Sequence, residues 1–300
     1  MMNLTEYRRT ATRLADFLPW AALVGSGVVL NKDGSFQRTA KFRGPDLDSA
    51  VAAELVAVAS RINNAVRRLG SGWSIFVEAQ RSEAATYPDS TFPDAASALV
   101  DAERKAAFEE AGMHFVSGCF LTFLWLPPAE DAARAETWLY EGREQSGVNP
   151  WEVMRGFIDR TDRVLALLDG FMPECHWIDD AATLTYLHST ISTNRHRVRV
   201  PEVPMHLDAL LADQPLTGGL EPRLGDQHLR VLTITGFPTA TTPGLLDEMN
   251  RLAFPYRWST RAILMDKTDA TKLLTKIRRQ WFAKRKSIAA ILKEVMTNEA

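Results

Sequence analysis

Two short stretches carry the residue types that do chemistry. Glu174, Cys175 and His176, with Asp179 and Asp180 close behind, could supply a metal site or a Cys-His nucleophile. Side chains of adjacent residues point apart and rarely converge on one atom, so the stretch reads as a turn followed by a helix capped by Asp179 or Asp180. His188 with Ser189 and Ser192 has the letters of a hydrolase triad, without the G-x-S-x-G setting that exposes such a serine. That run reads as a polar helix face. His114, His176, His188, His196, His206 and His228 form no pair at a chelating spacing. An enzyme reading therefore needs His176, Asp179, His188 and Arg195 to meet in one cleft of the second half of the chain.

Phosphate chemistry has one weak candidate. Gly25-Ser26-Gly27 opens like a nucleotide loop, but no third glycine follows at the required spacing and no helix begins there. It reads as a bend inside a strand. No G-x-x-x-x-G-K-S/T occurs anywhere in the chain, and the amides and lysine of that loop are what hold phosphates. The expectation is a chain with no catalytic residue, no cofactor and no metal of its own.

Basic residues offer a different chemistry, recognition of a partner. Arg195, Arg197 and Arg199, with His196 between them, form the densest short basic patch before the last helix. They lack the interleaved aromatics on which single-stranded bases stack, so a partner surface is preferred. Arg8, Arg9 and Arg13 make one side of a first helix basic, and Trp20 follows at the entry to the first strand. Arg8, Arg9, Arg13, Trp20, Arg195, Arg197 and Arg199 are the candidate partner surface. Nucleic acid is a further partner that this pattern allows without supporting.

These residues must be placed by elements that hydrophobic spacing makes legible. The first helix spans 3–18. The stretch 18–49 then predicts two strands, 23–30 and 35–42, joined by a tight turn at Lys32-Asp33-Gly34. A helix over 48–69 follows, with Val51, Leu55, Val58, Ile62, Val66 and Leu69 recurring every three or four residues. A strand over 73–79, a helix over 94–111 and a long apolar strand over 113–126 come next. The last alternates poorly and is expected at the sheet centre, covered on both faces. Helices are predicted over 130–141, 150–169 and 181–192. Strand candidates follow at 198–200, 207–211, 220–224 and 228–235, a short helix over 243–252, and an alternating strand over 256–265. A long basic helix over 266–299 ends the chain. Its apolar stripe (Leu274, Ile277, Trp281, Ile288, Ile291, Val295) is expected to pack on the preceding domain. It runs out without a glycine or proline stop, which reads as a sequence cut inside a longer protein.

Composition sets the frame. The chain has 300 residues, 46% of them hydrophobic and 24% charged, the balance of an ordinary globular protein with room for a sizeable core. Thirty-five basic residues against 37 acidic ones leave a formal charge of -2, so any electrostatic function must be local. Cys119 and Cys175 stand far apart and read as reduced thiols of a cytosolic protein. The first 18 residues lack the apolar core of a signal peptide, and no apolar run approaches the roughly 20 residues that span a bilayer.

Long stretches of the chain resemble a known family. EYRR with LADFLPWAALV, then GVVLNKDGSFQRTAKFRGPDLDSA, RLGSGWSIFVEAQR, FPDAASALVDAERKAAFEEAG, LTFLWLPP and WLYEG are similar to the N-terminal region of the conjugal-transfer ATPases of the CagE, TrbE and VirB family of type IV secretion. The resemblance covers essentially all of the chain. It implies a far longer parent whose C-terminal motor domain binds ATP and Mg and powers plasmid DNA transfer or pilus biogenesis. This chain has neither Walker motif, so no catalytic residue carries over. The implied role is docking to a small inner-membrane subunit of the transfer apparatus and self-association in a homo-oligomer, peripheral to the bacterial inner membrane on its cytoplasmic side. The expected fold is α+β: an antiparallel or mixed sheet opened by the hairpin with flanking helices, then a smaller α+β lobe and the long final helix. The expected divisions are 1–172, 173–265 and 266–300.

Overall fold

The computed structural model describes residues 13–46, 49–84, 86–110, 114–128, 150–234, 236, 239–240, 245–246, 249 and 251–298, the side chains of 150 and 284–298 excepted. Residues 1–12, which include most of the first expected helix with Arg8 and Arg9, the helix over 130–141 and most of the helix over 243–252 lie outside it.

The fold is α+β. In chain order its elements are α1 (Leu14–Phe17), β1 (Trp20–Gly25), β2 (Val28–Asn31), β3 (Phe36–Arg43), α2 (Ala52–Val66), β4 (Trp73–Glu83), α3 (Ala95–Glu110), β5 (Phe115–Trp125), α4 (Pro150–Asp169), β6 (Glu174–Trp177), α5 (Asp180–Ile191), α6 (Leu207–Leu211), β7 (Leu216–Thr217), β8 (Arg223–Leu224), β9 (Gln227–His228), β10 (Tyr256–Ile263) and α7 (Lys267–Asn298). A seven-stranded antiparallel sheet runs β1-β2-β3-β5-β4-β10, with β6 on the same edge of β3 as β2. A small sheet, β7-β8-β9, stands beside it.

The Asp-Gly turn forms as its chemistry dictates. Asn31 N–H donates to the Ser35 carbonyl at 2.8 Å, and Asp33 Oδ1 accepts from both the amide and the hydroxyl of Ser35 at 3.0 and 2.6 Å. The strand expected over 23–30 is instead two strands. The chain reverses at Ser26-Gly27, so β1 and β2 pair with each other.

Alternation along the strands gives the sheet two dissimilar faces. One carries Phe36, Trp73, Phe123 and Trp125 and is covered by α4, whose Phe157 stacks on Phe36 and Trp73 at 5.8 and 5.7 Å between ring centroids. Met154, Val164 and Leu168 extend that contact, at the helical spacing read from the sequence. The other face is more polar. It is covered by α5 and α6 through Leu184, Leu187, Leu207 and Leu211, which join Leu14, Leu18, Trp20 and Val29 in a second core.

Polar pairs pin the layers together. Glu78 on β4 is buried and takes both Arg257 Nε and Nη2 from β10, at 2.9 and 2.5 Å, while Arg257 Nη1 donates to the Thr190 carbonyl of α5 at 2.7 Å. On the opposite face Asp162 of α4 receives Arg38 at 2.6 Å and the Trp177 indole at 2.7 Å. Arg38 also lies 4.0 Å above the Trp177 ring.

Several expectations are corrected. The expected boundary at 172 does not divide the sheet, because β6 pairs with β3 and β10 pairs with β4 across it. Residues 207–211 form a helix: Leu207 and Leu211, four apart, both face the second core. The run 228–235 yields only the end of β9, and Leu232 is 95% exposed, since a strand needs a partner and β8 pairs with two residues. β5 is central, but its first half is partly open, with Val116 exposed. Of the apolar positions expected over 48–69, Leu69 is buried and Leu55, Val58 and Val66 are half-buried, while Val51, at the N-cap of α2, and Ile62 are exposed. The stripe on α7 does not pack on the preceding domain: among its described residues Leu274, Ile277 and Trp281 are all exposed, as is neighbouring Phe282.

Candidate functional site

Gly25-Ser26-Gly27 is the turn joining β1 and β2. Gly27 has φ 65°, and its N–H donates to Asp180 Oδ1 at 2.6 Å. A Cβ there would stand 2.8 Å from the Ile178 carbonyl oxygen. The amide that a phosphate would use is thus held by a carboxylate of the chain itself, at the start of α5.

The residues of the enzyme reading do not converge. His176 is exposed and lies 3.7 Å from Glu174. Asp179 caps α5, accepting from the Ala182 N–H at 2.7 Å. Cys175 is buried, and that burial, reinforced by Asp169, pushes its thiol up to about 11, which leaves it protonated and non-nucleophilic at neutral pH. His188 is 3% exposed, its ring 4.4 Å from that of His196 and its Nε2 3.1 Å from Asp213 Oδ2 without hydrogen-bond alignment. Partial burial pushes the Asp213 carboxyl up, but donors Asn194 and Ser192, with His188 beside them, outweigh it and hold the group low. This is a tie between α5 and the segment before β7. Ser189 hydrogen-bonds Gln80 and the Tyr186 carbonyl. The enzyme reading on those four residues falls. Among the described residues, no group of three or more His, Cys, Asp or Glu is placed to hold a metal ion.

The candidate partner residues divide. Arg195, Arg197 and Arg199 are exposed on an extended segment. Between them Val198 turns inward, its N–H donating to Thr185 Oγ1 at 2.9 Å. Burial lowers the Arg195 guanidinium, neighbouring Arg257 adds to that, and Glu78 opposes it. Arg13 is exposed beside α1. Trp20 is 7% exposed and packs in the second core, so it supports the fold instead of a surface. Arg8 and Arg9 are outside the described residues.

A cleft of about 730 Å³ opens at one end of the large sheet. Its lining includes Arg68 from the end of α2, the Gly70-Ser71-Gly72 turn, Trp73, Trp125, Leu126, Arg160 and Arg163 of α4, and Asp266 before α7. The turn is clamped: Ser71 N–H donates to Asp266 Oδ2 at 3.3 Å, Ser71 Oγ to Asp269 Oδ2 at 2.8 Å, and Asp266 N–H to Ser71 Oγ at 3.1 Å. Gly72 has φ 88°, and a Cβ there would meet the Leu126 carbonyl at 2.7 Å. Arg160 lies 5.3 Å over the Trp125 ring. Sequence reading passed over this place. Arg68 stands just past the C-terminal end of α2, and nothing local links it to Arg160 and Arg163, some 90 residues on.

Two helices present uncovered faces. α3 buries no residue and is tied down at its edges, Tyr87 to Asp101 at 2.7 Å and Phe108 against His114 at 3.9 Å between rings. α7 leaves Trp281 73% and Phe282 51% exposed. Among the described residues no helix is long and apolar enough to cross a membrane.

Comparison with known proteins gives concordant matches. The family model for the type IV secretion system ATPase VirB4/TrbE, N-terminal domain, matches residues 27–133. The chain is 33% identical over 299 residues to a conjugal transfer protein TrbE of Rhizobium radiobacter, covering 94% of this chain and 36% of that protein. In Sinorhizobium fredii (strain NBRC 101917 / NGR234) a probable conjugal transfer protein TrbE is named in two pieces. The chain is 42% identical over 130 residues to the first, covering 42% of this chain and 87% of that piece. It is 34% identical over 98 residues to the second, covering 33% of this chain and 15% of that piece. The chain thus spans about a third of the Rhizobium radiobacter protein.

Proposed function

The chain belongs to the VirB4/TrbE family of type IV secretion ATPases and carries its N-terminal domain, and from that premise we propose that it is a docking and assembly module for a conjugal-transfer ATPase. Its partners in this reading are a small inner-membrane subunit of the transfer apparatus and further copies of the chain in a homo-oligomer, peripheral to the bacterial inner membrane. ATP and Mg belong to a motor domain beyond these residues, which would power plasmid DNA transfer or pilus biogenesis.

The observation that carries the reading is the exposed face of α7. Its 32 residues hold nine basic and two acidic side chains, and its apolar stripe stands open at Leu274, Trp281 and Phe282. Covering the two aromatics on association would contribute about 5 kcal/mol at 25 cal/mol per Å². The exposed Arg195, Arg197 and Arg199 add a second basic surface. The test is co-purification of residues 1–300 with the small inner-membrane subunit, alongside sedimentation of the chain alone. Association in either arm is expected, and failure in both overturns the reading. The same arginines favour a second reading, a nucleic-acid surface. A titration with single-stranded DNA that stays flat at low salt, where phosphate contacts are strongest, removes it.

A further inference from the structure

We propose that the cleft at the Gly70-Ser71-Gly72 turn is a binding site for a small phosphate-bearing ligand. The inference goes beyond the docking role and does not depend on it. Three arginines line one opening of about 730 Å³, a size within the roughly 300–1,000 Å³ of small-ligand sites. Arg68 comes from the end of α2, Arg160 and Arg163 from α4.

Some cations of the fold are matched by a carboxylate. Arg38 has Asp162, Arg257 has Glu78 and Lys32 has Asp208. Among the described residues, Arg68, Arg160 and Arg163 meet no carboxylate at ion-pair distance. The carboxylate in the lining, Asp266, is already engaged, with Oδ2 accepting the Ser71 amide and Oδ1 set against Gly70. Three cations against the one lining carboxylate leave a formal charge of +2, or +1 with Asp269 on Ser71 counted, a net positive charge that suits a phosphate.

The groups are also partly set in place. Arg160 is held on the Trp125 ring, and Trp73 and Trp125 are locked in a stack with Phe157. A planar guanidinium that is already ordered loses less entropy on binding and meets phosphate with two parallel hydrogen bonds. Leu126, Pro128 and the Trp73 edge line the cleft beside the arginines and would take an apolar body attached to the phosphate. Asp266 leads directly into α7, so an occupant would touch the point from which that helix departs.

The phosphate could sit on a free small molecule or on a lipid headgroup, and two probes separate these sources. Inorganic pyrophosphate is titrated by calorimetry into residues 1–300, and phosphatidylglycerol vesicles are used in co-sedimentation. Arg68→Glu/Arg163→Glu is the cleft variant and Arg279→Glu, on α7, the control. Pyrophosphate binding that weakens about tenfold or more for each guanidinium removed, and survives in Arg279→Glu, supports a free phosphorylated ligand. Vesicle binding with the same pattern and no pyrophosphate signal supports a headgroup. The proposal is overturned if the wild-type chain binds neither probe, or if the cleft variant binds as wild type does or no worse than the control. Arg68 and Arg163 are exposed, so an unchanged unfolding midpoint is expected; a variant that fails to fold is replaced by Arg68→Gln/Arg163→Gln, judged by the same outcomes.

Discussion

Gly27 shows how one residue joins both halves of the molecule. Its left-handed backbone turns β1 into β2, its amide reaches the carboxylate of Asp180, and its missing side chain leaves room for the Ile178 carbonyl. Gly27→Ala should therefore destabilise the fold by about 2–3 kcal/mol through strain and clash. Gly44→Ala, with open space around its Cβ position, should change it little, and urea unfolding of the two variants checks the contrast. Cys175 gives a pH prediction. Its folded pKa, about 11, lies above its ordinary value of 9.0, and burial holds Tyr186 at about 12 against 10.0. Raised acids of this kind keep their protons in the folded state after the unfolded chain has lost them, so stability falls as pH rises. It should begin to fall above pH 9 and continue through 11 to 12. Denaturant midpoints should show the loss, and Cys175→Ala should flatten its early stage. Gly27 and Cys175 were legible as letters in the sequence. What each touches was not, because Asp180 lies 153 positions from Gly27.

Among the elements, β10 depends most on a single tie. It is an edge strand whose residues are largely exposed, and its Arg257 neutralises Glu78 inside the sheet while reaching α5. Arg257→Ala leaves a buried carboxylate uncompensated and should cost about 3 kcal/mol. Chemical denaturation measures it, and hydrogen exchange should rise first in β10 and the end of β4. The long strand, α4, α5 and α7 were readable because their apolar spacing is a local signal that packing then used. The turn at Gly25-Ser26-Gly27 was misread as a bend, since a strand and a tight hairpin both tolerate paired glycines. The run after β9 failed for a different reason. Its letters suit a strand, but among the described residues no sheet edge receives it beyond β8.

Across the whole molecule, residues from the two sides of position 172 complete one sheet, so the module behaves as one interlocked α+β body about β3 and β4. Among the described residues α7 leaves Trp281 and Phe282 open to solvent, and there Trp281→Ser/Phe282→Ser should abolish association with the small inner-membrane subunit or with further copies while leaving the unfolding midpoint within a degree or two, because exposed positions contribute little to folding. Co-sedimentation alongside a thermal melt measures both quantities. The sequence by itself determined the α+β class, the Asp-Gly hairpin, a helix cap at Asp179 or Asp180 and the family, because turn chemistry, capping and long matched stretches are carried by neighbouring residues. The tertiary structure alone decided that Trp20 is core, that the α7 stripe is uncovered, and that Arg68, Arg160 and Arg163 share one opening. The physical reason is distance along the chain: burial and convergence of charge depend on elements that meet only after the sheet has closed.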